Sequence, residues 1–267
     1  MTTATLAQRS PGFARVKEAY SDAMAIVQRN IIGLMRTPQL LVFATIQPVI
    51  FVLMFRFVFG GAIKIPNLNY VDFLMPGIFV QTVTFGATGT AIGLAADLKS
   101  GLIERFRSLP MARSAVLFGR TGADLTRNIF VVALMAAVGF LVKFRIHGSW
   151  YAFVGAMLLV IAFGYVFSWV MATIGLIAGD PEAAQAAAFP LMAPLVFASS
   201  AFVPVTSMPG WLQAWAKFQP VSVTTTAARK LVLGQPAGAD VAKALLWFVV
   251  LLVVFVPIAV RRYRKAG

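Results

Sequence analysis

The sequence predicts an all-α integral membrane protein with six transmembrane helices, and three observations carry that prediction. The 267-residue chain is 60% hydrophobic and 12% charged, where soluble domains run at roughly 25% charged. Its mean hydropathy is +0.84. Six apolar segments each come near the roughly 20 residues an α-helix needs to cross a bilayer. The same composition narrows function. With no cysteine, disulfides, thiolate metal sites and cysteine nucleophiles are excluded. The 23 Lys and Arg against 9 Asp and Glu read as cytoplasmic loops. They do not read as a nucleic-acid interface, because the basic residues are scattered between apolar runs and form no continuous face.

Residues 1–12 contain no apolar run of the kind a secretory signal needs. Phe13, Val16, Tyr20, Met24, Val27, Ile31 and Leu34 then recur at intervals of three or four, with charges largely between them. That spacing predicts an amphipathic helix lying in the membrane interface, ended by Thr37-Pro38. Residues 1–38 thus form a cytoplasmic amino-terminal segment and 39–260 the six-span domain. The first span covers about 40–59, with Pro48 inside it, and the second about 73–96, with Pro76 in its first turn. The third begins between 115 and 122 and runs to 142. It takes in Asp124 and Arg127, which pair three apart on one helix face. A lone central charge costs about 2.5–3.5 kcal/mol, so the pair is expected near the cytoplasmic end. Spans four, five and six cover about 151–178, 183–205 (with Pro190 and Pro194) and 241–260, followed by a basic tail, 261–267. Asp180 and Glu182, around Pro181, read as caps of the turn before span five. Gly86, Gly89 and Gly93 would allow close helix contact, as at a dimer seam.

Positive charge sets the orientation. The amino-terminal segment, the segment between spans two and three, and the tail carry five, six and four Lys and Arg; the opposite side holds the remaining eight. Both termini are therefore expected in the cytoplasm. The turn at 179–182 carries none and contributes nothing to the assignment.

One stretch departs from the apolar background: "GLIERFRSLPMARS", Gly101 to Ser114. Ile103, Phe106 and Leu109 recur every three residues, with Glu104, Arg105 and Arg107 on the other faces and Pro110 ending the turn. Such a short amphipathic helix suits docking into a partner's groove, its charges fixing orientation; a loop that obeys only the positive-inside rule is the plainer alternative. A second unusual block, "FVPVTSMPGWLQAWAKFQPVS", follows span five. Pro204, Pro209 and Pro220 break helices there, and Trp211, Trp215 and Phe218 share a face as interfacial aromatics do. A further amphipathic turn, 223–233, closes at Gly234.

These two blocks, set in a six-span layout, resemble the membrane subunits of type 2 ATP-binding-cassette exporters, and among them the daunorubicin-resistance type of permease. The resemblance covers nearly the whole chain. It implies that residues 101–113 are a coupling helix seated in a cleft of an ATPase subunit, with Glu104, Arg105, Arg107, Ser108, Leu109 and Pro110 at the contact. It also implies that 204–234 is an outer, partly re-entrant segment containing Pro204, Pro209, Trp211 and Pro220, and that the amino-terminal helix is the family's interface helix. Two permeases, identical or related, would face each other above two ATPases in the plasma membrane.

No glycine in the chain is followed by lysine, so the phosphate-cradling G-x-x-x-x-G-K-[ST] loop is absent. ATP and Mg are expected on the partner subunit, with no cofactor, metal or catalytic residue in this chain. One histidine, His147, and no clustered carboxylates offer no acid–base pair. The mild polar residues and aromatics of the spans suit a lipophilic or amphipathic cargo, with Gln81, Thr84, Phe85, Ser199 and Ser200 as candidate pathway residues. The resemblance implies export of a drug or natural product. Export of a lipid or glycolipid is the alternative, and an ATP-independent channel is a third reading that leaves the docking helix unexplained.

Overall fold

The structure is a computed structural model that describes residues 38–60, 65, 68–101 and 115–265. The predicted interface helix and coupling helix therefore lie outside the described residues. Among those described, the regular structure is helical, apart from one isolated bridge between Ile65 and Leu68. Helix α1 (Pro38–Leu53) continues into a wider π-helical turn, Met54–Phe59. Helices α2 (Tyr70–Gly86) and α3 (Thr88–Lys99) form one apolar rod broken at Ala87. Then come α4 (Ala115–Leu141), α5 (Trp150–Ala178) and α6 (Pro181–Phe197). A 3-10 turn at Val205–Ser207 precedes α7 (Gly210–Phe218), α8 (Pro220–Val232) and α9 (Gly238–Lys265).

Four of these are long and apolar enough to cross a membrane: Tyr70–Lys99, Arg120–Leu141, Trp150–Ala178 and Gly238–Arg264. They fall on predicted spans two, three, four and six. The segments expected to be spans one and five are shorter. Helix α6 stops at Phe197 instead of running to 205, and its 17 residues rise about 25 Å at 1.5 Å per residue, less than the roughly 30 Å hydrocarbon core. Prolines at 190 and 194 lie inside it, and each removes a ladder donor. The chain then runs irregularly through 198–204.

Helix α5 is the centre of the bundle, packing against α2, α3, α4, α6, α8 and α9. Phe163, Phe167 and Trp169 on it are among the largest fully buried side chains. One close approach is at Gly175, where an added Cβ would collide with the Ala91 carbonyl oxygen and lie 2.8 Å from the Cα of Ala91 on α3. Gly77 on α2 is similarly covered by the backbone of Ala201. A smaller apolar cluster, with Leu94, Leu117, Trp169, Leu176, Ala259 and Tyr263, gathers α3, α4, α5 and α9 toward the end of α3 and the start of α4.

At the opposite end, α8 is an inner helix. Val221, Ala227, Ala228 and Val232 are fully buried, and it packs on α2, α5 and α9. Helix α7 lies outside it, with Trp211, Trp215 and Phe218 exposed, as aromatics on an interfacial face would be. The indole of Trp247 donates to the Phe218 carbonyl at 3.0 Å and ties α7 to α9. The turn closes at Gly234 with φ +68°, in the left-handed region that glycine adopts without a steric penalty.

Candidate functional site

Between α1, α2 and α4 lies a cavity of about 220 Å³. Its lining is mixed. Gln47 and Pro48 come from α1, Gln81, Thr82, Phe85 and Gly86 from α2, Gly89 from α3, and Arg127, Asn128 and Val131 from α4. Arg127 crosses from α4 to the α2–α3 break. It donates to the Gly86 carbonyl at 2.6 Å and sits 3.5 Å from Asp124, the predicted i, i+3 pair. Asp124 also accepts from the Thr90 hydroxyl on α3. The pair is therefore neutralised and hydrogen-bonded by neighbouring helices, the condition under which buried charge is tolerated.

The break has a local cause at the same place. The Thr90 amide bonds to the Ala87 carbonyl at 2.9 Å, a tight i+3 turn, while the Gly86 carbonyl is taken by Arg127. Gly86, Gly89 and Gly93, which in sequence suggest a seam between two copies, face arginines of the same chain. A Cβ at Gly89 would lie 2.8 Å from Nη1 of Arg127, and one at Gly93 would collide with Arg120. The stripe of small residues makes room for two guanidinium groups.

Two buried amides in this lining are not satisfied. Gln81 and Asn128 are each 2% exposed, and Oε1 of Gln81 and Nδ2 of Asn128 have no hydrogen-bond partner among the described residues. An orphaned buried polar atom costs about 1–3 kcal/mol, and native interiors keep few of them.

The predicted pathway residues divide. Gln81 and Phe85 line the cavity. Thr84 does not, since its hydroxyl donates to the Val80 carbonyl at 2.6 Å on a fully buried face. Ser199 and Ser200 lie in the irregular turn after α6. Ser199 donates to the Val196 carbonyl at 2.5 Å, and Ser200 donates twice to Ser222 on α8, its amide to the hydroxyl oxygen at 2.9 Å and its hydroxyl to the carbonyl at 3.2 Å. Of the residues predicted for an outer segment, Pro204 precedes the 3-10 turn, Pro209 the start of α7, and Pro220 occupies the first turn of α8. Trp211 is exposed. The predicted coupling residues Glu104 to Pro110 lie outside the described residues.

What flanks them is described. Arg120 on α4 reaches Asp97 on α3 at 3.4 Å, and Lys99 on α3 reaches Asp180 at 2.5 Å. Asp180 also caps α6, accepting from the amides of Glu182 at 3.0 Å and Ala183 at 3.2 Å. The Lys99 ammonium, with help from those amides, holds the Asp180 carboxyl below the usual carboxylate range. The helix ends on either side of segment 102–114 are thus fastened to each other and to the start of α6.

Sequence reasoning missed Asn128, which reads there only as the edge of an apolar run. It also missed Arg229, taken as one more basic residue outside the spans. Arg229 is buried, donating to the carbonyls of Phe73 at 2.8 Å, Ser200 at 2.7 Å and Ala201 at 3.3 Å, with its guanidinium 3.6 Å from the Phe73 ring centroid. Asp72 is missed likewise. It is fully buried, accepts from the Arg145 amide at 2.8 Å and lies 3.6 Å from His147. A polar residue inside an apolar segment was the available signal for Asn128 and Asp72; Arg229 offered none.

Comparison with known proteins accounts for this architecture. The ABC-2 type transporter family matches residues 22–233, from before α1 to the end of α8. The chain belongs to that family. Within it, the chain is 35% identical to the daunorubicin resistance ABC transporter permease protein DrrB1 of Streptomyces coeruleorubidus, over 92% of this chain and 87% of the relative. It is 26% identical to the probable doxorubicin resistance ABC transporter permease protein DrrC of Mycobacterium tuberculosis, over 84% of this chain and 81% of the relative. A third relative, the doxorubicin resistance permease DrrB of the same organism, is 32% identical over a shorter stretch, 46% of this chain and 43% of the relative. As an ABC-2 family member the chain is a membrane permease, and its apolar helices are in keeping with that.

Proposed function

We propose that this chain is the transmembrane subunit of an ATP-driven exporter that moves a lipophilic or amphipathic compound, of the drug or antibiotic kind, outward across the plasma membrane. The observation that carries the reading is the 35% identity to a daunorubicin resistance permease along 92% of this chain. Members of such families generally draw their energy from a separate ATPase subunit, which binds ATP and Mg. In this reading α1 and α6 join the four long helices to make six spans with both termini cytoplasmic. The amino-terminal interface helix lies on the inner leaflet, and α7 and α8 form the outer re-entrant segment. Two permeases, identical or related, face each other.

Segment 101–113 is the coupling helix. Arg105 and Arg107 pair with acidic groups of the ATPase, Glu104 with a basic one, and Leu109 fills an apolar socket, with Ser108 and Pro110 shaping the turn. When ATP draws the two ATPase subunits together, the motion enters the bundle through α3 and α4, which segment 102–114 connects. The Lys99–Asp180 and Arg120–Asp97 contacts carry it on to α6. The experiment is purification of the complex in mild detergent from its native membrane. Mass spectrometry is expected to find a stoichiometric partner with a phosphate-binding loop. Arg107→Glu is expected to lose that partner while the permease itself remains folded. A chain that comes out alone where comparable complexes survive, or an Arg107→Glu variant that keeps its ATPase, overturns the reading.

A further inference from the structure

We infer that the cavity between α1, α2 and α4 is a recognition site for the uncharged, hydroxyl- or carbonyl-bearing end of an otherwise apolar molecule. Calling that molecule cargo rests on the exporter reading above; the binding itself does not.

The volume sets the size of what enters. Pockets that enclose a whole drug-sized molecule measure about 300–1,000 Å³, and about 220 Å³ takes only a ring-sized end. Polarity follows from the two amides in the lining. Oε1 of Gln81 and Nδ2 of Asn128 are sealed from the cavity, and Oδ1 of Asn128 lies on the side of Gly86, a lining residue. The amide ends left for a ligand are thus the Gln81 donor and the Asn128 acceptor, which a hydroxyl, or a carbonyl beside a hydroxyl, can answer. Charge is settled by Arg127, the one ionic residue of the lining among the described residues. Its guanidinium is already met by Asp124 at 3.5 Å and by the Gly86 carbonyl at 2.6 Å. A carboxylate or phosphate finds no free counter-charge there, and an ammonium meets a like charge. The walls, Phe85 and Val131, are apolar. Gln47 is exposed, so the cavity reaches the surface at α1. Exposed Ile50 lies one turn along that helix and exposed Phe130 one turn on from Arg127, which gives the apolar body of the molecule a surface to lie on.

The test uses the full-length chain in phosphatidylcholine nanodiscs, without ATPase or nucleotide, and three fluorescent probes of equal ring size: 2-naphthol, naphthalene and naphthalene-2-sulfonate. Empty discs correct for partition into lipid. Saturable binding of 2-naphthol is expected, at least about tenfold tighter than either other probe. Gln81→Met and Asn128→Leu, close in volume, should each weaken 2-naphthol by a similar factor while leaving the thermal midpoint unchanged or higher, because each removes an unsatisfied buried group. Equal binding of naphthalene or of the sulfonate by the unaltered chain overturns the inference. So does unchanged 2-naphthol affinity in both variants, or a lowered midpoint in both. Failure here leaves ATPase co-purification intact, and loss of the ATPase partner leaves naphthol binding intact, so the two readings fall separately.

Discussion

Arg229 is the residue on which the α7–α8 end of the bundle turns, and its replacement by methionine gives a number. The guanidinium serves two carbonyls at 2.8 and 2.7 Å and a third at 3.3 Å. Hydrogen bonds to charged groups contribute about 1.5–3 kcal/mol each, and a desolvated cation on an aromatic face about 2 kcal/mol. Against this stands the cost of desolvating the guanidinium, several kcal/mol. Methionine fills the volume of the stem but leaves the carbonyls of Ser200 and Ala201, which belong to no helix, without this donor. Two buried carbonyls left without a donor, at about 1–3 kcal/mol each, make the expected net loss about 3–5 kcal/mol. At about 2 °C per kcal/mol for a chain of this size, the unfolding midpoint in detergent falls by roughly 6–10 °C. Fluorescence-detected size exclusion after heating measures it. Arg229→Lys keeps the charge but cannot fork across three carbonyls, and falls between. A midpoint for Arg229→Met within about 2 °C of the parent would refute the assignment of Arg229 as the tie between α2, the turn after α6 and α8.

Two further predictions test packing and electrostatics elsewhere. Gly175→Ala puts a methyl group 2.8 Å from the Cα of Ala91; overpacking of this kind costs about 1–3 kcal/mol. Gly155→Ala, with nothing within 4 Å of the new atom, should be neutral or gain about 0.5–1 kcal/mol from helix propensity; the idea fails if the two behave alike. Asp180→Asn keeps the helix cap but loses the pair with Lys99. Because the folded-state carboxyl lies below its unfolded value, its contribution is fully present above the ordinary carboxylate pKa of about 4. It is lost as pH falls below that through the lowered value. The stability gap between the parent and Asp180→Asn should therefore be present at neutral pH and close in strong acid. A gap of the same size at both would remove the ion pair as its cause.

Much of the helix layout was legible because apolar runs longer than a bilayer is thick have few other readings. The Asp124–Arg127 pair and the Asp180 cap were legible because each is a contact between near neighbours on one helix or turn. What could not be read depends on partners far away in sequence. Arg229 meets Phe73 across 156 positions, and its acceptors are backbone carbonyls, which every residue carries and no sequence pattern marks. The early end of α6 belongs with it, since the irregular turn at 198–204 persists where Arg229 and Ser222 supply partners for its backbone. The glycine stripe was legible as close approach but not as to what approaches. Small residues make space, and arginines from α4 fill it. Of the cavity, Gln81 and Phe85 stood out as a polar and an aromatic residue in an apolar span, while Asn128 and Arg127 come into view only once α4 is packed against the break.

The break at Ala87 joins these observations mechanically. At one end, the α3–α4 side is held by Asp97–Arg120 and Lys99–Asp180; at the other, α2 is held by Arg229 through the Phe73 carbonyl and by the Tyr70 hydroxyl donating to Phe202 at 2.9 Å. A rod fastened at both ends yields where its ladder is weakest, and here that is Gly86–Thr90, where a carbonyl has gone to Arg127 and an i+3 turn has replaced an i+4 turn. In the proposed mechanism, displacement of segment 102–114 is therefore taken up at the level of the cavity. The guanidinium that holds the break open is also the charge that lines the cavity, so any bend that moves Gly86 off Arg127 changes the charge the cavity presents.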